Sequence, residues 1–223
     1  MIAPTRKEHT MQLQVALDRL AADAALQIAG QVAPLVDWLE VGTSMIKKYG
    51  ATFIEEVVAA AGTTPVLADL KTADDARWEF GMAYDAGARS ATVLGLAPGA
   101  TIDTAVEVAA ERGLEVVVDL MGLSGATRQA FADRLPAEVV LAAHVSKDAQ
   151  RSGDSPLAQL GPWAQGRAVA IAGGLTTADL PSLVGRNLRV IVGSSVTGSP
   201  DPVVATAALL AAAGRPVPAA VQR

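Results

Sequence analysis

A single (β/α)8 barrel, the TIM-barrel architecture of the α/β class, is the fold this sequence predicts, and three observations lead to it. Eight short β-rich runs recur along the chain, each is followed by a longer Ala-rich segment with apolar residues at helical spacing, and no shift in composition marks a linker between them. Several of the runs are continuously apolar, as parallel strands covered on both faces must be, and eight βα units is the number that closes a barrel. The same alternation would also serve an open doubly wound sheet. The 223 residues, 51% of them hydrophobic, suffice for one sizeable core and fit one domain better than two.

In chain order, the predicted strands are 12–17, 38–41, 66–70, 90–94, 115–120, 139–144, 168–172 and 189–192. Apolar residues at helical spacing predict helices over 24–36, 52–61, 75–86, 102–112 and 203–213. Gly62, Gly87 and Gly113 follow three of these stretches, where a left-handed residue ends a helix before the chain turns into the next strand. The sixth unit is short, because Pro156 and Pro162 leave room for only a turn or two of helix. The expected limits are a polar N-terminal tail over residues 1–10, the barrel over 11–213 and a loose, Pro-containing C-terminal tail over 214–223.

Composition narrows the partners. The 18 Lys and Arg are outnumbered by 23 Asp and Glu and are scattered, so no basic stripe is available to follow a nucleic-acid backbone, and nucleic acid is not an expected partner. The absence of cysteine removes disulfides, thiolate metal sites and cysteine nucleophiles together. The first ten residues carry Arg6, Lys7, Glu8 and His9 and lack the apolar stretch of a secretory signal. No apolar run reaches membrane-spanning length without a charge or a turn, so the expectation is a soluble cytoplasmic protein with no membrane partner.

In such a barrel, catalytic residues stand where the strands stop. The polar residues there are Asp18, Glu40, Asp69 with Lys71 and Asp74, Asp119 and His144, followed by glycine turns after the seventh and eighth strands. Any one of these Asp residues could be a helix N-cap, but the joint pattern points to a site. The densest part is Asp69-Leu70-Lys71-Thr72-Ala73-Asp74, in which strand alternation points Asp69 and Lys71 to one side and Asp74 opens the next loop. An ammonium held between carboxylates stays charged and can stabilise or protonate an enediolate; the same groups would also make an internal ion-pair network. Glu40 and Asp69 are hard oxygen donors able to share a Mg²⁺ ion with substrate oxygens and water, or to pair with Lys71 instead. His144 is either a general acid or base or a core histidine bonded to a carbonyl. After the last two strands, Ala172-Gly173-Gly174 and Val192-Gly193-Ser194-Ser195 allow backbone amides to approach an anion, at the place where many such barrels bind phosphate.

Val15-Ala16-Leu17-Asp18, Glu40-Val41-Gly42-Thr43, Leu67-Ala68-Asp69-Leu70-Lys71-Thr72, Ile171-Ala172-Gly173-Gly174-Leu175 and Val192-Gly193 stand in the order seen in 3-hexulose-6-phosphate synthases. Over residues 12–213 the chain resembles that family and the related 3-keto-L-gulonate-6-phosphate decarboxylases of the orotidine 5'-monophosphate decarboxylase group. The resemblance implies a Mg²⁺-dependent reaction on a sugar phosphate through a cis-enediolate, with Glu40 and Asp69 as metal ligands and Lys71 as the central cation. It further implies that Asp18 holds substrate hydroxyls, that His144 handles a proton, and that Asp74 reaches into the partner's site of a homodimer. In the synthase reaction, ribulose 5-phosphate is deprotonated at C1 and the enediolate attacks formaldehyde; the decarboxylase makes the same kind of intermediate by losing CO₂. Leu70-Lys71-Thr72 and Asp119 resemble the synthase, the decarboxylase having Glu where Asp119 stands. Ser146-Lys147-Asp148-Ala149-Gln150 resembles the decarboxylase, which has Arg in place of Lys147, a planar fork that Lys does not reproduce. Asp75-Ala76 in place of Ala-Gly, Tyr49 in place of Glu, and Ser194 in place of Gly or Arg depart from the family pattern. A third reading is a non-catalytic phosphosugar-binding barrel, against which stands the retention of the whole acid, lysine and histidine set.

Overall fold

The computed structural model describes residues 11–218; the N-terminal tail expected over residues 1–10 and the last residues, 219–223, lie outside the described residues. Eight parallel strands form a closed barrel in sequence order: β1 Gln12–Leu17, β2 Trp38–Val41, β3 Val66–Thr72, β4 Ser90–Leu94, β5 Glu115–Asp119, β6 Val140–His144, β7 Val169–Ala172 and β8 Leu188–Val192. β1 pairs with both β2 and β8, which closes the ring and removes the open-sheet alternative. The described helices are α1 Ala22–Val32, α2 Thr43–Tyr49, α3 Thr52–Ala61, α4 Ala76–Asp85, α5 Gly99–Arg112, α6 Gly125–Arg134, α7 Lys147–Gln150, α8 Ser194–Thr197 and α9 Pro202–Ala212.

The differences from expectation have local causes. Pro34 lacks an amide hydrogen, and the expected helix over 24–36 finishes as a separate 3₁₀ turn, Ala33–Leu35. Helix α6 buries only Arg128, so it presents no apolar stripe from which its period could be read. Helix α2 is seven residues long with Met45 alone buried, too short for a periodic signal. The sixth unit is short as expected, consisting of α7 and two 3₁₀ turns that each begin at a proline, Pro156–Gln159 and Pro162–Ala164. Beyond Gly214, the Arg215 guanidinium pairs with Asp37 and donates to the Met11 carbonyl at 3.4 Å. The tail expected to be loose is therefore held at its start against the foot of β1.

Strand alternation sorts the core into two parts. Outward-facing Leu13, Val15, Leu17, Leu39, Val41, Ala91, Val93, Leu141, Ala143, Ile171 and Val190 join the helices in one large buried cluster. Inward-facing Leu67, Val117, Val140, Ala142 and Ala170 make a smaller separate cluster inside the barrel, with Trp38, Ala168 and Ile191 against it. Below them Arg189 closes the foot of the barrel. It makes a bidentate pair with Glu115 across the interior, at 2.7 Å for each bond, and its guanidinium lies 4.2 Å from the centre of the Trp38 ring. Planar, delocalised Arg suits both contacts at once. With the foot closed and the middle layer built largely of small side chains, the open end lies at the C-terminal ends of the strands.

Candidate active site

The strand ends surround one cavity of about 460 Å³, which opens at the barrel mouth and reaches down to the inner apolar cluster. Asp18, Glu40, Asp69, Lys71, Asp119, His144, Lys147, Gly173, Gly174, Gly193 and Ser194 all line it. Asp74 does not. It is exposed in the loop after β3, where its carboxylate accepts a hydrogen bond from the Asp75 amide at 2.8 Å.

The centre of the site depends on an irregularity in β3. Ala68 pairs with Ala91 and Thr72 with Val93, so four steps along β3 match only two along β4 and the residues between bulge out of the ladder. Lys71 lies in this bulge with a φ of 50°, a left-handed conformation costly for a residue with a side chain. Its amide is satisfied by Thr92 Oγ1 at 2.8 Å. Simple alternation is therefore not the whole reason that Asp69 and Lys71 share a side; the bulge sets their geometry.

The bulge places Lys71 Nζ 2.6 Å from Asp69 Oδ2 and 2.8 Å from Oδ1, and 3.2 Å from Asp119 Oδ2. Thr43 and Thr92 hydroxyls donate to Asp69 at 2.7 and 2.8 Å, completing four hydrogen bonds to that carboxylate. Asp119 Oδ2 also meets His144 Nδ1 at 2.8 Å, and Asp119 Oδ1 accepts from the Met121 amide at 3.0 Å. A continuous chain of contacts thus runs from Asp69 through Lys71 and Asp119 to His144.

The electrostatics follow from burial and pairing. Glu40 is 8% exposed; loss of water and the nearby negative charge of Asp69 push its carboxyl up to about 7. Burial would also raise Asp119, but the hydrogen bond and charge of His144, with help from Lys71, pull it down to about 2. For Lys71 burial opposes the charge, yet Asp69 and Asp119 outweigh it and hold the ammonium protonated. His144 behaves alike: burial disfavours its charge, and the bond to Asp119 more than restores it, leaving its pKa raised from the ordinary 6.5.

That shift has a measurable consequence. A raised folded-state pKa stabilises the fold fully below the unfolded value and loses its contribution as pH rises through the folded value. The stability advantage of the native protein over His144→Gln is therefore expected to be largest below pH 6.5 and to shrink above it. Urea unfolding of both proteins in EDTA across that interval measures it, and an advantage constant with pH would show that the pair with Asp119 is not an ion pair.

Around the rim, Ser44 donates to Asp18 and accepts from the Arg19 amide at 2.9 Å. Asp18 fits because residue 42 is glycine: a Cβ there would lie 2.7 Å from the Leu17 carbonyl and 2.8 Å from Asp18 Oδ1. Opposite, Gly173 has a φ of 125°, and a Cβ on it would come within 2.8 Å of the Val145 carbonyl, so only glycine lets the β7 turn pass. The Ser195 hydroxyl donates to the Leu175 carbonyl at 2.6 Å and ties the turns after β7 and β8 together. The amides of Gly174, Ser194 and Ser195 donate to no group among the described residues. These amides line the cavity beside exposed Lys147, whose Nζ donates to Gln150 at 3.3 Å.

Gln14, Ser44 and Thr92 complete the site but are not among the residues the sequence singles out, whereas Thr43 and Ser195 stand inside quoted motifs without a side-chain role of their own. Gln14 and Thr92 carry a signal, each being a polar residue in the middle of a largely apolar strand, on the face that lines the cavity. Thr43 and Ser44 open α2, a helix the sequence does not predict, so neither could be placed beside its acid in advance.

Comparison with known proteins identifies the family and agrees with the fold. Residues 11–209 match the model of the orotidine 5'-phosphate decarboxylase / HUMPS family. The 3-hexulose-6-phosphate synthase of Mycobacterium gastri is 36% identical over 205 residues, covering 91% of this chain and 99% of the relative. Among solved structures, a 3-hexulose-6-phosphate synthase from Salmonella typhimurium superposes with a TM-score of 0.84 at 30% identity, over 91% of this chain and 98% of that one. A 3-keto-L-gulonate-6-phosphate decarboxylase from Vibrio cholerae superposes with a TM-score of 0.79 at 26% identity, over 92% and 98%. The chain belongs to the orotidine 5'-phosphate decarboxylase / HUMPS family and is an enzyme of the carbon–carbon lyase class.

Proposed function

We propose that this enzyme is a 3-hexulose-6-phosphate synthase, joining C1 of ribulose 5-phosphate to formaldehyde through an enediolate. The observation that carries the reading is the chain Asp69, Lys71, Asp119, His144, which sets a permanent cation and a proton carrier at one end of a cavity whose other end offers backbone amides unpaired among the described residues. Those amides, at the turns holding Gly173, Gly174, Gly193 and Ser194, bind the substrate phosphate, and Asp18 accepts from a sugar hydroxyl. Lys71 stabilises the charge that develops on the enediolate oxygens, an interaction strongest when the charge is formed. His144 is oriented through Nδ1 by Asp119, which leaves Nε2 to exchange the proton. The proton lost from C1 must be balanced by one gained on the alkoxide that formaldehyde becomes when the new carbon–carbon bond forms. A single group that receives the first and returns the second suffices, and His144 fills that role. Lys147 is the flexible cation at the rim.

The donor set also fits Mg²⁺. Glu40, Asp69 and Asp119 bring three carboxylates to the cavity around Lys71 and His144, and Glu40 is raised first by burial and then by the charge of Asp69, so a divalent cation there would favour its ionised form. No group of three or more Asp, Glu, His or Cys among the described residues is arranged to hold a metal ion by itself, so a cation here would take most of its ligands from water and substrate oxygens. Glu40 and Asp69 are the residues we assign to hold it, with Asp69 yielding one of its four present hydrogen bonds. When bound, Mg²⁺ supplies charge neutralisation at the substrate oxygens.

We further propose a homodimer in which Asp74 serves the partner's site. Asp74 does not line its own cavity, and Trp78, in the helix that follows it, is 71% exposed, large apolar surface close in the chain to an acid with no cation of its own among the described residues. The chain has no helix among the described residues long and apolar enough to cross a membrane, and we take it to act in the cytoplasm.

The test is to incubate the purified enzyme with ribulose 5-phosphate, formaldehyde and Mg²⁺, with an EDTA control, and to follow hexulose 6-phosphate by mass spectrometry. Metal-dependent product is expected. Folded protein that binds the phosphosugar but forms no product would transfer the assignment to the decarboxylase reaction.

A further inference from the structure

Gln14 is buried completely inside the barrel, and its carboxamide is divided between two fates. The nitrogen donates to Glu40 Oε2 at 2.5 Å, while Oε1 is buried without a partner among the described residues. The nitrogen faces Glu40, the orientation that suits the ionised carboxylate a cation would require. Along the β1–β2 register, Ala16 stands opposite Glu40 and Gln14 opposite Trp38, so Gln14 supports the carboxylate from one inward-facing layer below. Its neighbours on the cavity wall include Leu67, Val117, Ala142 and Ala170, none of which offers a hydrogen bond from its side chain.

An apolar residue here would continue the inner cluster without leaving an orphaned acceptor. A glutamine that spends one half of its amide on Glu40 and leaves the other unpaired is a poor choice for packing alone. Glu40 has no other side-chain hydrogen-bond partner among the described residues, in contrast to Asp69 with its lysine and two threonines. One oxygen of Glu40 is thereby fixed and the other left free.

We propose that Gln14 is a positioning residue for the divalent cation site: it pins Oε2 of Glu40 so that the remaining oxygen is presented to the metal. This rests on the reading of Glu40 and Asp69 as the cation's ligands. Hydrogen-bonding partners behind a metal ligand set its orientation, and their loss typically weakens binding by about ten- to a hundred-fold.

The test uses EDTA-stripped full-length enzyme titrated with Mn²⁺, free ion being counted by electron paramagnetic resonance, in native protein and in Gln14→Met, which keeps the volume and removes both amide groups. The expected result is a Kd for Mn²⁺ raised about ten-fold or more, with affinity for inorganic phosphate in EDTA changed less than about two-fold. A thermal melt in EDTA reads any purely structural role separately. Equal Mn²⁺ affinity in the two proteins would overturn the inference, whereas native protein that binds no Mn²⁺ would overturn the cation reading beneath it. Should the variant not fold, the Gln14 side-chain amide signals of isotope-labelled native protein decide: they are expected to shift on Mg²⁺ addition, and unchanged signals at saturation would defeat the proposal.

Discussion

Replacing Lys71 by methionine is expected to lower kcat for the proposed aldol reaction by about three orders of magnitude, with KM changed far less. The ammonium lies between two carboxylates that are 7% and 3% exposed, so its charge is in place before substrate arrives and needs no reorganisation as the enediolate forms. Water admitted into the space left by a shortened side chain would screen and reorient, which a fixed ammonium does not. Methionine retains most of the stem's volume, so the cavity walls stay in place while the charge disappears. The substitution also removes the cation shared by Asp69 and Asp119 and is expected to destabilise the fold by about 3 kcal/mol, the usual scale for stranding buried charge. Asp119 retains His144, and Asp69 retains the two threonine hydroxyls, which moderate that cost. Steady-state kinetics, urea unfolding and a phosphate titration separate these effects. A loss of kcat below about ten-fold, in protein that remains folded, would remove Lys71 from the centre of the reaction.

The parts of this arrangement that are legible in the sequence are those carried by repetition. All eight strands are located within two residues of their observed ends, because apolar runs bounded by polar residues recur at each βα unit. The strand-end residues follow from the fold, since a polar residue that stops an inward-facing run must stand at the barrel mouth. What local pattern does not encode is how strands are offset. The bulge between Ala68 and Thr72 and the left-handed Lys71 arise from pairing with β4, where Thr92 takes both the Lys71 amide and Asp69. Nothing within Asp69-Leu70-Lys71 announces that partner. Gln14 is legible only as a discord, a fully buried polar residue in the middle of a largely apolar strand, and its meaning depends on Glu40, 26 residues later in the chain. Helix α6 escapes because it buries only Arg128 fully and packs little more than Phe131 and Ala132 against the core, too few apolar positions to make a stripe.

If Asp74 completes the partner's site, then two inactive proteins will make an active one. Consider Lys71→Met mixed with Asp74→Ala. In a mixed dimer, the site built on the Lys71→Met chain has lost both groups. The other site keeps its own Lys71 and receives an intact Asp74 from the Lys71→Met chain. Random pairing gives half the dimers this composition, each with one working site of two, so roughly a quarter of native activity is expected from an equal mixture after subunit exchange. Were Asp74 to act on its own chain's cavity, every site in the mixture would lack one residue or the other and no activity would return. Geometry favours the first outcome: Asp74 is exposed and absent from its own cavity wall, and the exposed face of Trp78 supplies apolar area for a partner to cover. Trp78→Glu should therefore shift the protein toward monomer in sedimentation and lower activity in a concentration-dependent way, although Trp78 lies outside the cavity. Rescue by mixing, combined with its loss in the Trp78→Glu background, would establish the shared site and the surface that assembles it. Rescue that survives in protein shown to be monomeric would refute both.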